Sequence, residues 1–190
     1  HAVLGDCTPA VILTSTESAA GVRKLFRELP ARERPRTVAV DAIPDELGSG
    51  WSRPDLGADD IAYLQYTSGS TRVPAGVEIT HRNVVTNVMQ LFDSLGLTRA
   101  SRGVTWLPLF HDMGLLTVIL PAMGGATITV MSPRAFVQRP GRWVSQLGAA
   151  SGGDGVFAAA PNFAFEHAAR RGLPKEGETL DLSGVTSIIN

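Results

Sequence analysis

The chain has 190 residues, 44% hydrophobic and 18% charged, enough apolar material for one well-buried domain or a large piece of a bigger one. A formal net charge of −1 removes the electrostatic reason to expect nucleic acid or an anionic membrane surface as the main partner. The single cysteine, Cys7, excludes a disulfide framework and a cysteine metal cluster, and suits a reducing cytoplasm.

In chain order, the sequence is expected to enter a strand soon after its start, at Ala10-Val11-Ile12-Leu13. Thr14-Ser15-Thr16-Glu17 has the spacing of a capping box, and Val22, Leu25, Phe26 and Leu29 then fall on one face of an amphipathic helix. Thr37–Val40 reads as the next strand. The arginines and lysine between them alternate with Glu28 and Glu33, the pattern of a solvated helix face. Residues 41–60 are rich in Gly, Pro, Asp and Ser and carry no apolar period, as expected of a long surface connection.

Strands and helices then alternate. Strands are expected at 61–66, 76–80, 104–107, 126–130, 155–159 and 185–189. Between them fall a helix at 83–95, capped by Asn83 and packed through Val84, Val88, Leu91, Phe92 and Leu95, and an apolar helix at 112–123. A short helix is expected at 142–147 and a longer one opened by Pro161 and running to Arg171. This order predicts an α/β fold, a mainly parallel, doubly wound sheet with helices on both faces. The organisation expected is a partial α/β layer with its long connection at 1–60, and a site-bearing subdomain at 61–190. The apolar stretch around Met113–Met123 is too short for a membrane span and contains Pro121. A chain that opens at His1 and stops one residue past a strand is expected to be a fragment.

Four polar signals follow predicted strands, where parallel sheets bind ligands. Thr67-Ser68-Gly69-Ser70-Thr71 offers four hydroxyls and several backbone N–H groups in a small space, which suits polyphosphate oxygens. It is not a Walker A loop: Gly69 and Gly76 lie too far apart, and Val77 stands where the lysine should follow. A mobile Ser/Gly connection is the plainer reading of this segment taken alone. His111-Asp112 opens a buried helix, either as a capping aspartate beside a satisfied histidine or as a pair at the mouth of a site. Ala160-Pro161-Asn162 and Asn190 complete the set. Phe163 and Phe165 need no more than a core role, although alanines ending a strand also leave room for an elongated apolar ligand. No Gly-x-Ser-x-Gly elbow points to hydrolase chemistry.

Several of these words together resemble the adenylate-forming superfamily, and within it the fatty acyl-AMP ligases. They are Tyr66 to Val77 (YTSGSTRVPAGV), Trp106 to Leu115 (WLPLFHDMGL), Gln138-Arg139-Pro140, Ala160 to Arg171 (APNFAFEHAARR), and Leu180-Asp181-Leu182-Ser183 leading to Asn190. The resemblance runs over essentially the whole chain. It departs at Pro74-Ala75-Gly76, where most of the superfamily has Pro-Lys-Gly; Arg72 is the candidate substitute for that lysine.

The resemblance implies part of an αβαβα N-terminal domain that activates a long-chain fatty acid with ATP and Mg2+. The products would be acyl-adenylate and pyrophosphate, and the acyl group would pass to the phosphopantetheine arm of an acyl carrier protein on a polyketide synthase. It implies that Thr67, Ser68, Gly69, Ser70, Thr71, Arg72 and Gly76 hold the phosphates, with Thr71 the one candidate near the metal. Asn190 would approach the nucleotide. His111, as the catalytic group, would lie with Asp112, Met113 and Gly114 near the acyl carboxylate, beside Ala160, Pro161 and Asn162. The remaining nucleotide-binding segments would follow Asn190, so these residues alone are expected to be inactive. A long-chain acyl-CoA synthetase and a degenerate ligand-binding homologue are the alternatives.

Overall fold

A computed structural model describes residues 2–67, 75–148 and 155–190. Contacts divide the chain into two compact units, His1–His81 and Arg82–Asn190.

The first unit opens with a short helix, α1 (Ala2–Cys7), where the sequence pattern pointed directly to a strand. Strands β1 (Val11–Thr14) and β2 (Arg36–Ala39) pair in parallel, joined through helix α2 (Thr16–Leu25). Ser15 caps α2 by accepting the Ser18 N–H at 3.3 Å, one residue later than the expected capping box from Thr14 to Glu17, because Thr14 still belongs to β1. Ala19 and Phe26 form the inward face. Leu25 and Leu29 are largely exposed, contrary to expectation, because the helix stops at Leu25 and Leu29 leaves its face. Arg34 crosses back over this end and donates to the Leu29 and Arg27 carbonyls at 2.8 and 2.7 Å. Residues 41–60 are exposed throughout, with short 3-10 turns at Val40–Ala42 and Asp45–Gly50.

Strands β3 (Ile61–Thr67) and β4 (Ala75–Thr80) pair with each other, and the pairing is antiparallel. This corrects the expectation that β3 lies in the same parallel sheet as the later strands. The connection 68–74 is far shorter than the dozen or more residues that a parallel crossover requires.

Helix α3 (His81–Ser94) starts two residues before Asn83, which is therefore inside the helix rather than its cap. The second unit is built on a four-stranded parallel sheet in the order β6-β5-β7-β8. Its strands are β5 (Arg102–Thr105), β6 (Thr127–Val130), β7 (Val156–Ala159) and β8 (Val185–Ile189). Helix α4 (Asp112–Gly124) links β5 to β6, and Gly125 ends it with φ 74°, a left-handed conformation natural to glycine. Helices α5 (Pro133–Gln138) and α6 (Gly141–Gly148) precede β7, and α7 (Asn162–Arg171) follows it. The sequence reading missed α5, although Ser132 caps it by accepting the Ala135 N–H and Pro133 takes the first helical position.

The sheet is covered on both faces, as α/β folds require. On one face Val88, Leu97, Leu120 and Phe157 pack with Val84, Leu91, Phe92 and Leu95, which includes all five α3 residues expected inward. The other core joins Val104, Trp106, Phe136, Trp143, Val156 and Ala158 to α7 through Ala164 and Ala168. Trp106 stacks on Phe136 with ring centroids 4.0 Å apart.

Candidate functional site

The carboxyl ends of β5, β7 and β8 lead to His111-Asp112, to Ala160-Pro161-Asn162 and to Asn190 respectively. After β5 the chain turns through buried Trp106 and Leu107, where the Leu107 N–H donates to Thr105 Oγ1 at 3.2 Å. Helix α4 then begins against this turn. A Cβ on Gly114 would stand 2.1 Å from the Pro108 carbonyl oxygen, so only glycine permits that approach. One turn into the helix, the Thr117 hydroxyl lies 2.8 Å from the Gly114 carbonyl and 3.1 Å from Thr105 Oγ1, which joins α4 to β5 in the interior.

This anchoring holds the His111-Asp112 pair at the helix start. The Met113 N–H donates to Asp112 Oδ1 at 2.7 Å, and His111 Nδ1 lies 3.3 Å from the same nitrogen. His111 Nδ1 is 2.6 Å from Asp112 Oδ1, a separation that needs a hydrogen between them. Nδ1–H therefore donates to the carboxylate, and Nε2 is the atom left to meet a ligand. Both side chains are more than half exposed. His111 and Asp112 cap α4 and leave an oriented, exposed imidazole, the geometry of the capping reading.

Asn190 Nδ2 donates to Asn162 Oδ1 at 2.5 Å, and the Ala160 N–H donates to the Ile189 carbonyl at 2.9 Å. These bonds bring the ends of β7 and β8 together, with Ala160 fully buried and Pro161 at the cap position of α7. A cavity of about 200 Å3 opens beside α4. Its walls are Leu91, Met113, Leu116, Leu120, Phe157 and Ile189, and among the described residues Asp112 is the one charged group in its lining. The sequence reading took the apolar helix at 112–123 as one wall of a site and named Asp112 and Met113, but not Leu91, Phe157 or Ile189. The others read as core residues, since a wall and a core share the same apolar periodicity.

Thr67 and Gly76 belong to the first unit, at the ends of β3 and β4. Ser68, Gly69, Ser70, Thr71 and Arg72 lie outside the described residues. Gly76 is paired with Tyr66 across the hairpin, and a Cβ there would be 3.0 Å from the Tyr66 ring. The bare glycine lets the ring pass over it, and the Tyr66 hydroxyl donates to Asp6 Oδ2 at 2.5 Å. That hydrogen bond, with a smaller contribution from desolvation, pushes the phenol up to about 12. Among the described residues no three His, Cys, Asp or Glu side chains converge as metal ligands, and no helix is long and apolar enough to cross a membrane.

Comparison with known proteins adds to this geometry. The chain is 57% identical, over its whole length, to a long-chain-fatty-acid–AMP ligase, FadD32, of Mycobacterium marinum, and 54% identical to FadD32 of Mycolicibacterium smegmatis. It spans about 30% of the length of these relatives. The crystal structure of a fatty acyl-adenylate ligase from L. pneumophila, in complex with acyl adenylate and pyrophosphate, superposes with a TM-score of 0.80 at 29% identity. That match covers 98% of this chain and 32% of the other. The family model described as "AMP-binding enzyme" matches residues 1–163, and the chain belongs to that family.

Proposed function

We propose that the protein carrying this chain activates a long-chain fatty acid at the expense of ATP, forming acyl-adenylate and releasing pyrophosphate. The observation that carries the reading is the apolar cavity with Asp112 at its edge and an oriented imidazole beside it, at the carboxyl edge of a parallel sheet. An apolar pocket suits the greasy tail of a long-chain acid, whose head would meet the His111 imidazole rather than the like-charged Asp112 carboxylate. The FadD32 relatives and the acyl-adenylate complex of the Legionella enzyme support that choice of acid.

The chemistry needs two anions brought together in line, so positioning and charge neutralisation carry it and no protein nucleophile is required. In this reading the chain's own residues position and orient the reactants. Gly114 and Thr117 hold the start of α4 in place, Asp112 keeps the hydrogen on His111 Nδ1, and Nε2 meets the acyl carboxylate. Asn162 and Asn190 border the nucleotide, and the role assigned to Thr67 to Arg72, on their sequence, is to hold its phosphates. Mg2+ would enter with ATP, held by the phosphates of the substrate, with Thr71 the candidate residue beside it. Transfer of the acyl group to the phosphopantetheine arm of an acyl carrier protein, and a cytoplasmic setting, belong to the same proposal.

The test is fatty-acid-dependent ATP–pyrophosphate exchange by the full-length protein. Exchange should appear with long-chain acids, and His111→Ala should lower it by about 10²-fold, the loss typical of one preorganised polar group. Absence of exchange with any fatty acid would mean a ligand-binding homologue. Accumulation of acyl-CoA instead of acyl-AMP would mean a CoA ligase.

A further inference from the structure

On the face of the sheet that carries α5, α6 and α7, a second concavity of about 700 Å3 opens beside the edge strand β6. Thr129 and Ser145 line it, together with the three arginines Arg139, Arg142 and Arg171, and among the described residues no carboxylate does. Among the described residues these three guanidiniums have no ion-pair partner. Arg170, the neighbour of Arg171, does pair, with Glu166 at 2.6 Å. Arg102 reaches the same wall and is satisfied by neutral groups, the Gln146 carbonyl and Thr129 Oγ1, so its charge is also uncompensated.

The grouping is built by the fold. Arg142 follows Gly141 at the start of α6, and Arg171 precedes Gly172 at the end of α7. A Cβ on Gly141 would lie 3.3 Å from the Gly172 oxygen, and one on Gly172 would lie 3.2 Å from the Gly141 nitrogen. The two helix ends meet at this glycine contact, which draws the two arginines to one rim. Like charges gathered in a concavity repel unless an anion joins them. Guanidinium forks match phosphoryl oxygens in geometry as well as charge. A cavity of this size is large enough for a nucleotide-sized molecule.

We propose that this cavity, which shares no lining residue with the one beside α4, binds a phosphate-bearing small molecule. The inference does not depend on the acyl-adenylate reading and stands or falls without it.

The experiment is arginine footprinting of the full-length protein with phenylglyoxal, read residue by residue by mass spectrometry. Inorganic pyrophosphate and ADP are the two probes. At about ten times the dissociation constant, modification of Arg139, Arg142 and Arg171 should slow about tenfold, while Arg32 and Arg170 react as before. Protection by pyrophosphate alone would identify an inorganic anion as the ligand type, and stronger protection by ADP a nucleotide. Both results support the site. In the R142Q/R171Q variant the Arg139 protection should disappear while ATP–pyrophosphate exchange is retained. No protection, equal protection of every exposed arginine, or Arg139 protection that survives in R142Q/R171Q overturns the proposal.

Discussion

Gly114 shows how closely a single residue can be specified. A methyl group there would meet backbone, the Pro108 carbonyl, which has no rotamer to change. Gly114→Ala should therefore destabilise the full-length protein by at least about 2 kcal/mol, toward the upper part of the range for overpacked sites. Gly21, inside α2 with nothing within 4 Å, is the control: Gly21→Ala should be neutral or stabilising by up to about 1 kcal/mol. Urea unfolding midpoints compare the two, and an unchanged midpoint for Gly114→Ala would refute the close approach.

Tyr66 makes a second prediction at the same scale. Its phenol is held neutral by the bond to Asp6, so its pKa is raised from 10.0 to about 12. A group with a raised folded pKa stabilises fully below its unfolded value, and the contribution is lost as pH climbs from about 10 through about 12. NMR of ring-labelled tyrosine, assigned by Tyr66→Phe, should show one resonance titrating late. In Asp6→Asn that resonance should move back toward ordinary tyrosine. Asp41 shifts the other way: the Thr16 N–H at 2.7 Å lowers it below 3.8, so its contribution is present at neutral pH and fades in acid.

At the scale of elements, β5 and α4 are joined by a small polar contact inside an apolar layer. Thr105 and Thr117 are buried, and their hydroxyls satisfy the Leu107 N–H and the Gly114 carbonyl between them. Thr117→Val keeps the shape and removes the hydroxyl, which should cost about 1–2 kcal/mol. Thr105→Val should cost a similar amount, and the double variant less than the sum, because the two share one bond. Strict additivity in chemical unfolding would show that the hydroxyls act independently. The same contact fixes where α4 starts, so Thr117→Val should also lower ATP–pyrophosphate exchange, by a smaller factor than His111→Ala.

For the whole molecule, burial is uneven. Residues 41–60 are exposed without exception, while the second unit contains two cores with fully buried aromatics such as Phe136 and Phe157. Exposed backbone that packs on nothing is cut first. Limited proteolysis should therefore nick the chain within 41–60 before any bond between Val104 and Leu147. First cleavage inside the second unit, identified by mass spectrometry of the fragments, would contradict this distribution of stability.

Local chemistry alone was enough to reveal most elements. The i, i+3, i+4 spacing of Val84, Val88, Leu91, Phe92 and Leu95 marked the buried face of α3, and the apolar run after His111 marked α4. Strands β5, β7 and β8 and the polar residues after them were readable because a buried parallel strand is a short apolar run ended by a turn. Helix α5 and the exposure of Leu29 were not, since one depends on a brief Ser-Pro start and the other on where a helix ends. Strand direction was the larger loss. Whether β3 joins the parallel sheet or folds back on β4 depends on hydrogen bonds to a distant partner, and side-chain periodicity is the same in both cases. The cavity beside α4 and the pairing of Asn162 with Asn190 likewise required tertiary structure. They join residues far apart along the chain, Leu91 and Ile189 in the cavity wall and Asn162 with Asn190 28 positions on, and contact between such residues is a property of packing that no local pattern encodes.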